Sequence, residues 1–258
     1  HFHYDHAGLS AWLTERFDAP LYMTHGEYFT MRTLAGPPPE PLPDSMLTFY
    51  LRAGMPRERV EEMFAKLRRD PFMPPQPRAF TRLREGQGLH IGGRDWRVVI
   101  GEGHSPEHAC LYCAADRLLI AGDQLLPRIT SNVLVSDIEP EANPLKLWLD
   151  SLDRLAQLAP DTLVLPSHER VFRGLLPRVA ELHAHHQQQF DIVRTHLRVA
   201  GAATAFETKA KLFPRVLSAV EDMMALGETI AHLSWLRYSG QVRRVLDDDG
   251  LYRFSLAN

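Results

Sequence analysis

Three imidazoles and one carboxylate lie within the first six residues, His1-Phe2-His3-Tyr4-Asp5-His6. Imidazole nitrogen and carboxylate oxygen are ligands that zinc and similar divalent ions accept, so this density predicts a metal site. Alternate side chains of an extended segment point the same way, which lets His1 and His3 reach one ion. A turn after Tyr4 would direct Asp5 and His6 towards a second ion. A purification tag is the alternative, but a tag would not interleave aromatic residues and Asp or lead directly into an amphipathic helix.

Three further candidate ligands each follow a predicted strand, where a loop can present them. They are His104 in the sequence GEGHSPEH (101–108), Asp123 after Ala121-Gly122, and His168 in the sequence LPSHE (165–169). Each has an ordinary structural alternative: a loop histidine, a turn aspartate and a residue that starts a helix. The neighbouring Ser105, Ser167 and Glu169 either orient the imidazoles or are solvated loop residues.

Hydrophobic periodicity predicts a mixed α/β chain. Gly36 to Pro43 is too proline-rich for a helix or a sheet interior, and Asp70 to Pro77 breaks the helix before it. The predicted helices are 9–17, 57–69, 144–158, 178–199, 208–212 and 223–238, and the predicted strands are 21–23, 96–100, 109–113, 118–121, 162–165, 241–246 and 251–256. The segment from 46 to 77 is interpreted as a helical insertion that overhangs a site.

The order H-x-H-x-D-H, then H, D and H resembles the signature of the metallo-β-lactamase superfamily over roughly residues 1 to 175. The resemblance implies an αββα sandwich that holds two metal ions on one edge of its paired sheets. It implies that Asp123 bridges both ions. The other implied ligands are His1, His3 and His104 for the first ion, and Asp5, His6 and His168 for the second.

The chemistry implied by this resemblance comes from the ions. A divalent ion lowers the pKa of bound water to about 7, so a metal-bound hydroxide is available at neutral pH. Asp123, as the bridge, and Asp5, which orients the hydroxide or transfers its proton, are the predicted catalytic residues. No G-x-S-x-G sequence supplies a serine nucleophile. Zinc is favoured as the metal, although a set of only His and Asp ligands also suits iron and manganese.

Members of this family carry strands before the H-x-H-x-D-H motif that complete the first sheet, and this sequence starts at the motif. We therefore expect the natural chain to be longer than 258 residues, because a chain that started at His1 would leave that sheet incomplete.

The region beyond about Pro177 resembles the helical, winged-helix-like tail of a β-lactamase-like subgroup that includes a mitochondrial endoribonuclease of animals. The residues that carry this likeness are 223–238, 240–244 and the hairpin to Phe254. The predicted division is thus a catalytic domain, 1–176, and a small C-terminal domain, 177–258. Two roles are open for this tail, structural packing and nucleic-acid binding. Arg237, Arg243 and Arg244 could contact phosphates. Packing is favoured, because the acidic run from Asp247 to Asp249 would repel a phosphate backbone.

The favoured function is hydrolysis of a small-molecule thioester, ester or lactone, as in glyoxalase II-like relatives, because the segment around His104 is similar to theirs. An acyl hydrolase needs an apolar pocket, which the 46–77 insertion and four aromatic residues could build: Phe2, Tyr4, Trp12 and Phe29. The alternative is a metal-dependent endoribonuclease that acts on single-stranded RNA and needs a basic track to the metals. A winged-helix binding module on a degenerate core is disfavoured by the complete ligand set.

The net charge of −3 creates no global field that would attract nucleic acid or an anionic membrane. No apolar run approaches the ~20 residues that span a bilayer, and no export signal opens the sequence. We therefore expect a cytoplasmic protein with a small-molecule substrate and no membrane partner; a homodimer is compatible with the sequence.

The two cysteines and the remaining histidines are given structural interpretations. Cys110 and Cys113 are predicted to be free, because odd spacing in a strand points them to opposite faces. His108 is predicted to start a strand. His183, His185 and His186 are assigned to a solvated helix face, and His25 is a minor candidate for lining the pocket.

Overall fold

The computed structural model describes residues 1–71, 74, 76–215 and 217–257. Its first elements are α1 (Tyr4–Ala7), α2 (Ser10–Phe17), β1 (Tyr22–Met23), α3 (His25–Thr33), α4 (Asp44–Arg52), α5 (Arg57–Arg69) and β2 (Thr81–Arg82). β1 and β2 pair in parallel. The predicted first helix, first strand and helix 57–69 are confirmed, whereas α3 was not predicted. The helix break was predicted at Asp70 to Pro77, and three residues of that segment, Phe72, Met73 and Pro75, lie outside the described residues.

A small apolar cluster holds the first segment together. Ala7 of α1, Met23 of β1, and Tyr28 and Met31 of α3 are all buried in it, and Phe2 packs against it. Burial of such side chains stabilises the fold by about 1.5–3 kcal/mol each. This packing fixes the backbone around the six-residue motif.

The main sheet has five strands in the order β3-β4-β5-β6-β7. They are β3 (Gly88–Ile91), β4 (Arg94–Gly101), β5 (His108–Cys113), β6 (Leu118–Gly122) and β7 (Leu163–Pro166). The pairs from β3 to β6 are antiparallel, as the predicted meander and hairpin require, and β7 is parallel to β6. The carboxyl ends of β4, β6 and β7 therefore meet at one edge of the sheet, together with the amino end of β5.

Helix α6 (Pro144–Leu155) follows the sheet's first four strands and ends three residues before the predicted limit. The five apolar residues that predicted its buried face are all buried: Leu145, Trp148, Leu149, Leu152 and Leu155. Their spacing places them on one side of the helix. The amphipathic prediction is thus confirmed.

The remaining elements are α7 (Leu175–Ala200), α8 (Ala205–Leu212), α9 (Ala219–Tyr238), β8 (Val242–Leu246) and β9 (Tyr252–Leu256). The last two strands form the predicted antiparallel hairpin. The predicted helices are confirmed, but α7, α8 and α9 all begin earlier than predicted. The starts of α8 and α9 are fixed by capping boxes, in which Thr204 pairs with Glu207 and Ser218 with Glu221.

The chain divides into two compact units, each built from separate segments. The first comprises His1–Pro37, Pro71–Ser131 and Leu147–Leu182, and it contains the five-stranded sheet and every predicted metal ligand. The second comprises Pro38–Asp70, Asn132–Lys146 and His183–Asn258. Within the second unit, buried Asp222 of α9 forms ion pairs with Arg59 of α5 and Lys209 of α8. The predicted division between residues 176 and 177 stays a prediction.

His186 corrects the assignment of the α7 histidines to a solvated face. Its side chain is buried, and its Nδ1 lies 3.0 Å from Nε2 of the equally buried His232 on α9. The helix face that contains it is therefore part of the core of the second unit. The sequence could not indicate this, because the burial depends on a partner 46 residues away.

Both cysteines are free and buried, as predicted. Burial raises the pKa of the Cys110 thiol to about 12, so this sulfur is an inert core group. No helix in the described part of the chain is both long and apolar enough to cross a membrane.

Candidate metal centre

The predicted ligands meet at one edge of the five-stranded sheet. His104 lies in the loop between β4 and β5, Asp123 directly follows β6, and His168 follows β7. His1 and His3 precede α1, and Asp5 and His6 lie in it. The predicted turn after Tyr4 is this short helix, which starts at Tyr4 and separates the first two ligands from the next two.

Four side chains form the first ligand group: His1, His3, His104 and Asp123. The Nε2 atom of His1 lies 3.0 Å from His3 Nδ1 and 3.3 Å from His104 Nε2. Asp123 Oδ2 is 3.6 Å from His1 Nε2 and 3.5 Å from His104 Nε2. All four ligand atoms are within 4.8 Å of one another, so one ion between them would contact nitrogen and oxygen donors only.

A second group contains Asp5, His6, His168 and again Asp123. Asp5 Oδ2 lies 3.5 Å from His6 Nε2 and 3.3 Å from His168 Nε2. Asp123 contributes both carboxylate oxygens, with Oδ2 3.3 Å from His6 Nε2 and Oδ1 3.3 Å from His168 Nε2. Among the described residues, Asp123 is therefore the one that belongs to both groups, which is the position that the resemblance implies for a bridging ligand.

The protonation states at this edge suit metal binding. Burial, with a smaller effect from His104, lowers the pKa of His3 to about 3, so its imidazole is neutral and keeps a lone pair. Burial alone would raise the pKa of Asp123, but its interactions with the neighbouring side chains of His104 and His6 outweigh it and hold this pKa well below its usual range. A metal requires neutral imidazole and ionised carboxylate.

Two polar atoms of this edge are buried without a hydrogen-bond partner among the described residues, Nε2 of His6 and Oδ1 of Asp123. A buried polar atom that lacks a partner costs about 1–3 kcal/mol. Coordination to a cation would offset that cost. The donor set and these two atoms together fit a pair of divalent ions.

The two groups differ in their access to solvent. The side chains of His1 and His104 are 1% and 5% exposed, whereas those of Asp5 and His168 are 38% and 42% exposed. The second group is therefore the open side of the centre, where a substrate can approach.

His108 contributes to this edge in a way that the sequence did not reveal. It begins β5, as predicted, but its ring is fully buried and lies beside Gly122 and His1. Its Nε2 accepts a hydrogen bond of 3.1 Å from the backbone N–H of Asp123. Burial holds the pKa of His108 well below 6.5, which keeps that nitrogen an acceptor.

Glu27 is the second residue that sequence reasoning missed. It lies on α3, is buried, and accepts hydrogen bonds from both the first motif and the loop of His104. Only its place near Thr24-His25-Gly26, soon after the motif, hinted at a role. Ser105, one of the predicted supporting residues, donates to this carboxylate. The other two, Ser167 and Glu169, are exposed.

The predicted apolar pocket is only partly reflected in the structure. Phe2 packs into the core cluster, and Tyr4, Trp12 and Phe29 are exposed. A cavity of about 380 Å³ borders His1 and His6 and is lined by other apolar residues, including Leu13, Phe17, Met23 and Met31. His25 is exposed and contacts Phe29 and Phe80.

Comparison with known proteins places this geometry in a family. The sequence profile described as metallo-beta-lactamase superfamily matches residues 1–168, which is more than half of the chain. The chain belongs to the metallo-β-lactamase superfamily. A second profile, described as metallo-beta-lactamase-like, C-terminal domain, matches residues 194–257. The predicted family and its mixed α/β sandwich fold are confirmed, while the winged-helix description of the tail stays a prediction.

A solved superfamily structure covers the whole of this chain. A β-lactamase domain protein from Burkholderia ambifaria is 40% identical, and the match spans 100% of this chain and 73% of that one with a TM-score of 0.89. The similarity therefore includes the C-terminal helices and hairpin as well as the edge that carries the candidate metal ligands.

Two curated superfamily relatives are named as hydrolases. An atrochrysone carboxyl ACP thioesterase from Aspergillus terreus is 30% identical over 44% of this chain and 33% of its own length. A hydroxyacylglutathione hydrolase from Rhodobacter capsulatus is 32% identical over 45% of this chain and 43% of its own. The chain spans between about a third and two thirds of the length of the curated relatives it matches. At the level of the family, the predicted class of metallo-β-lactamase-fold hydrolase is confirmed.

Proposed function

We propose that the protein holds two divalent metal ions and hydrolyses a small-molecule thioester, ester or lactone. The observation that carries this proposal is the position of Asp123, whose carboxylate lies 3.3–3.6 Å from histidines of both ligand groups. A carboxylate shared by two sets of ligands is what a two-metal hydrolytic site requires. Zinc is the proposed metal, because three imidazoles with a carboxylate are ligands it accepts readily.

When bound, such ions lower the pKa of water and polarise the carbonyl that is to be cleaved. The residues of the chain supply orientation and charge. His1, His3 and His104 would hold the enclosed ion, and the more exposed second group leaves room for the substrate. Asp5 has its carboxylate 3.3–3.5 Å from two histidines of that group and is 38% exposed, so it can orient the attacking water and accept its proton.

The substrate class follows from two kinds of support. The named relatives act on acyl thioesters by their printed names, one on an acyl carrier protein and one on hydroxyacylglutathione. In addition, exposed apolar residues such as Leu9 and Trp12 directly follow the motif that supplies Asp5 and His6. These residues suit an apolar acyl group better than a phosphate backbone.

The alternative, cleavage of single-stranded RNA, has less support. Two of the three arginines that could contact phosphates are already paired, because Glu141 accepts hydrogen bonds of 2.7 Å from Arg237 and 2.6 Å from Arg244. Burial would raise the pKa of Glu141, but these arginines hold it below its usual value, so an ionised carboxylate offsets part of their positive charge. RNA is therefore an outcome of the test and not a second proposal.

The test compares four substrates, S-lactoylglutathione, an acyl-CoA, a homoserine lactone and a single-stranded RNA, with the wild type, Asp123→Ala and Asp95→Ala. Asp95 is the matched control, since its carboxylate is 94% exposed and, among the described residues, its ion pair is with His90 at the surface. We expect zinc-dependent turnover of a thioester or lactone that Asp123→Ala abolishes and Asp95→Ala retains. Turnover of RNA alone, or equal activity in Asp123→Ala, would refute the proposal.

A further inference from the structure

Glu27 is a buried carboxylate with three hydrogen-bond donors around it. Its side chain lies on α3 and is 1% exposed. Oε2 accepts the backbone N–H of Phe2 at 2.7 Å, and Oε1 accepts the hydroxyl of Ser105 at 2.6 Å and the N–H of Glu107 at 2.8 Å. Burial of a carboxylate is costly unless its oxygens accept hydrogen bonds, and both oxygens of Glu27 do.

The donors to Glu27 flank the ligands of the first metal group. Phe2 lies between His1 and His3, and Ser105 directly follows His104. One oxygen therefore fixes the backbone that carries two of the histidines, and the other fixes the loop that carries the third.

Two further hydrogen bonds join the start of α3 to the loop that bears His104, and here Glu107 of the loop is the acceptor. Glu107 Oε2 accepts the N–H of Gly26 at 2.7 Å, and Thr24 donates its hydroxyl to the backbone oxygen of Glu107 at 2.7 Å. The backbone of Gly26 lies close to this loop, since a Cβ atom on Gly26 would be 3.0–3.2 Å from Pro106 and Glu107. The amino end of α3 and the loop that bears His104 are therefore joined directly by hydrogen bonds and close packing.

We propose that Glu27 is a positioning residue for the first metal, which sets the distance between the His1–His3 pair and His104. The inference rests on the proposed function, in that two ions must bind. Residues that orient metal ligands typically change metal affinity by roughly 10- to 100-fold when they are replaced. The effect should fall on the first group alone, because Glu27 has no hydrogen bond to Asp5, His6 or His168 in the described structure.

The test variant is Glu27→Gln, which keeps the shape of the side chain but replaces one accepting oxygen by an NH2 group that cannot accept. The metal-free protein is titrated with cobalt(II), and the two binding constants and the visible absorption spectrum are recorded. His168→Ala, which lacks a ligand of the second group, identifies the spectrum of the first site. Glu62→Gln, at a 60% exposed position on α5, is the matched control for the chemical change.

We expect Glu27→Gln to bind the first ion roughly 10- to 100-fold more weakly and the second with unchanged affinity, and Glu62→Gln to match the wild type. Ser105→Ala removes a single donor, so it should shift the same constant by less and provides a second variant if Glu27→Gln does not fold. Two unchanged constants, or two constants that fall equally, would overturn the inference. A wild type that binds no cobalt would instead overturn the metal centre itself, and the inference with it.

Discussion

The imidazole of His108 stacks on that of His1, with 4.5 Å between ring centroids and 24° between ring planes. The same ring accepts the backbone N–H of Asp123 at 3.1 Å. A single buried side chain thus contacts a ligand of the first group and fixes the residue shared by both groups. The start of β5 therefore supports the backbone of the candidate metal centre.

Replacement of His108 by Ala should lower the free energy of unfolding of the metal-free protein by about 2–4 kcal/mol. The substitution removes a buried ring and leaves the N–H of Asp123 without its acceptor. Chemical denaturation measures the effect. His90→Ala is the control, because His90 is exposed and its ion pair in the described structure is with exposed Asp95. A loss within about 0.5 kcal/mol, as expected for such a surface change, would contradict the supporting role of His108.

Gly122 gives a second prediction about the same contact. Its φ is +53°, and a Cβ atom there would lie 2.4–2.5 Å from the ring of His108. Gly92 has a similar φ of +59° but nothing within 4 Å of the equivalent atom. Gly92→Ala therefore reports the cost of the left-handed backbone alone, about 1–2 kcal/mol. Gly122→Ala should cost more, because it also displaces His108.

Zinc affinity separates these two variants most clearly. Gly122→Ala should weaken zinc binding by roughly tenfold or more, since the displaced ring no longer holds the backbone of Asp123, whereas Gly92→Ala should bind as the wild type does. Competition with a chromogenic chelator gives both constants. Equal zinc affinity in the two variants would show that the ring does not position Asp123.

The buried pair of His186 and His232 predicts a pH dependence in the second unit. Burial, together with the neighbouring histidines, lowers the pKa of His186 to about 3, below the value of 6.5 expected in the unfolded chain. The unfolded state therefore takes up a proton as the pH falls below 6.5 while the folded state does not. The stability linked to neutral His186 is complete above pH 6.5 and is lost as the pH falls towards about 3.

His186→Gln should consequently cost less stability at pH 5 than at pH 7.5, by about 1–2 kcal/mol. Chemical denaturation at the two pH values measures this difference. Burial raises the pKa of Glu228 to about 7, which acts in the opposite direction, but this residue is present in both proteins and cancels. His90→Gln is the control and should show no such difference. A cost for His186→Gln that is the same at both pH values would contradict the assignment.

The positions of the candidate ligands in the fold could be predicted from the sequence because each is local. His1 and His3 alternate before α1, Asp5 and His6 lie in this short helix where a turn was predicted, and the later candidates follow strands that hydrophobic periodicity already indicates. The antiparallel meander and the terminal hairpin were predictable for the same reason. The family resemblance then assigned Asp123 to the shared position, where the structure brings both groups together.

The residues that support these ligands were not predictable, because their roles depend on contacts between distant segments. Glu27 is one acidic residue in a stretch where Gly26 and two threonines weaken the helical signal, so α3 itself was missed. His186 reads as solvent-facing beside three glutamines, and its burial appears only when α9 supplies His232. Periodicity indicates which face is apolar but not which polar residue is enclosed.

Zinc content per chain, measured after equilibrium dialysis of the metal-free protein, tests the central claim most directly. The account predicts two zinc ions in the wild type and in Asp95→Ala, and at most one weakly held ion in Asp123→Ala, because Asp123 belongs to both ligand groups. A wild type that binds fewer than two ions at saturating zinc, or an Asp123→Ala protein that retains two with wild-type affinity, would contradict it.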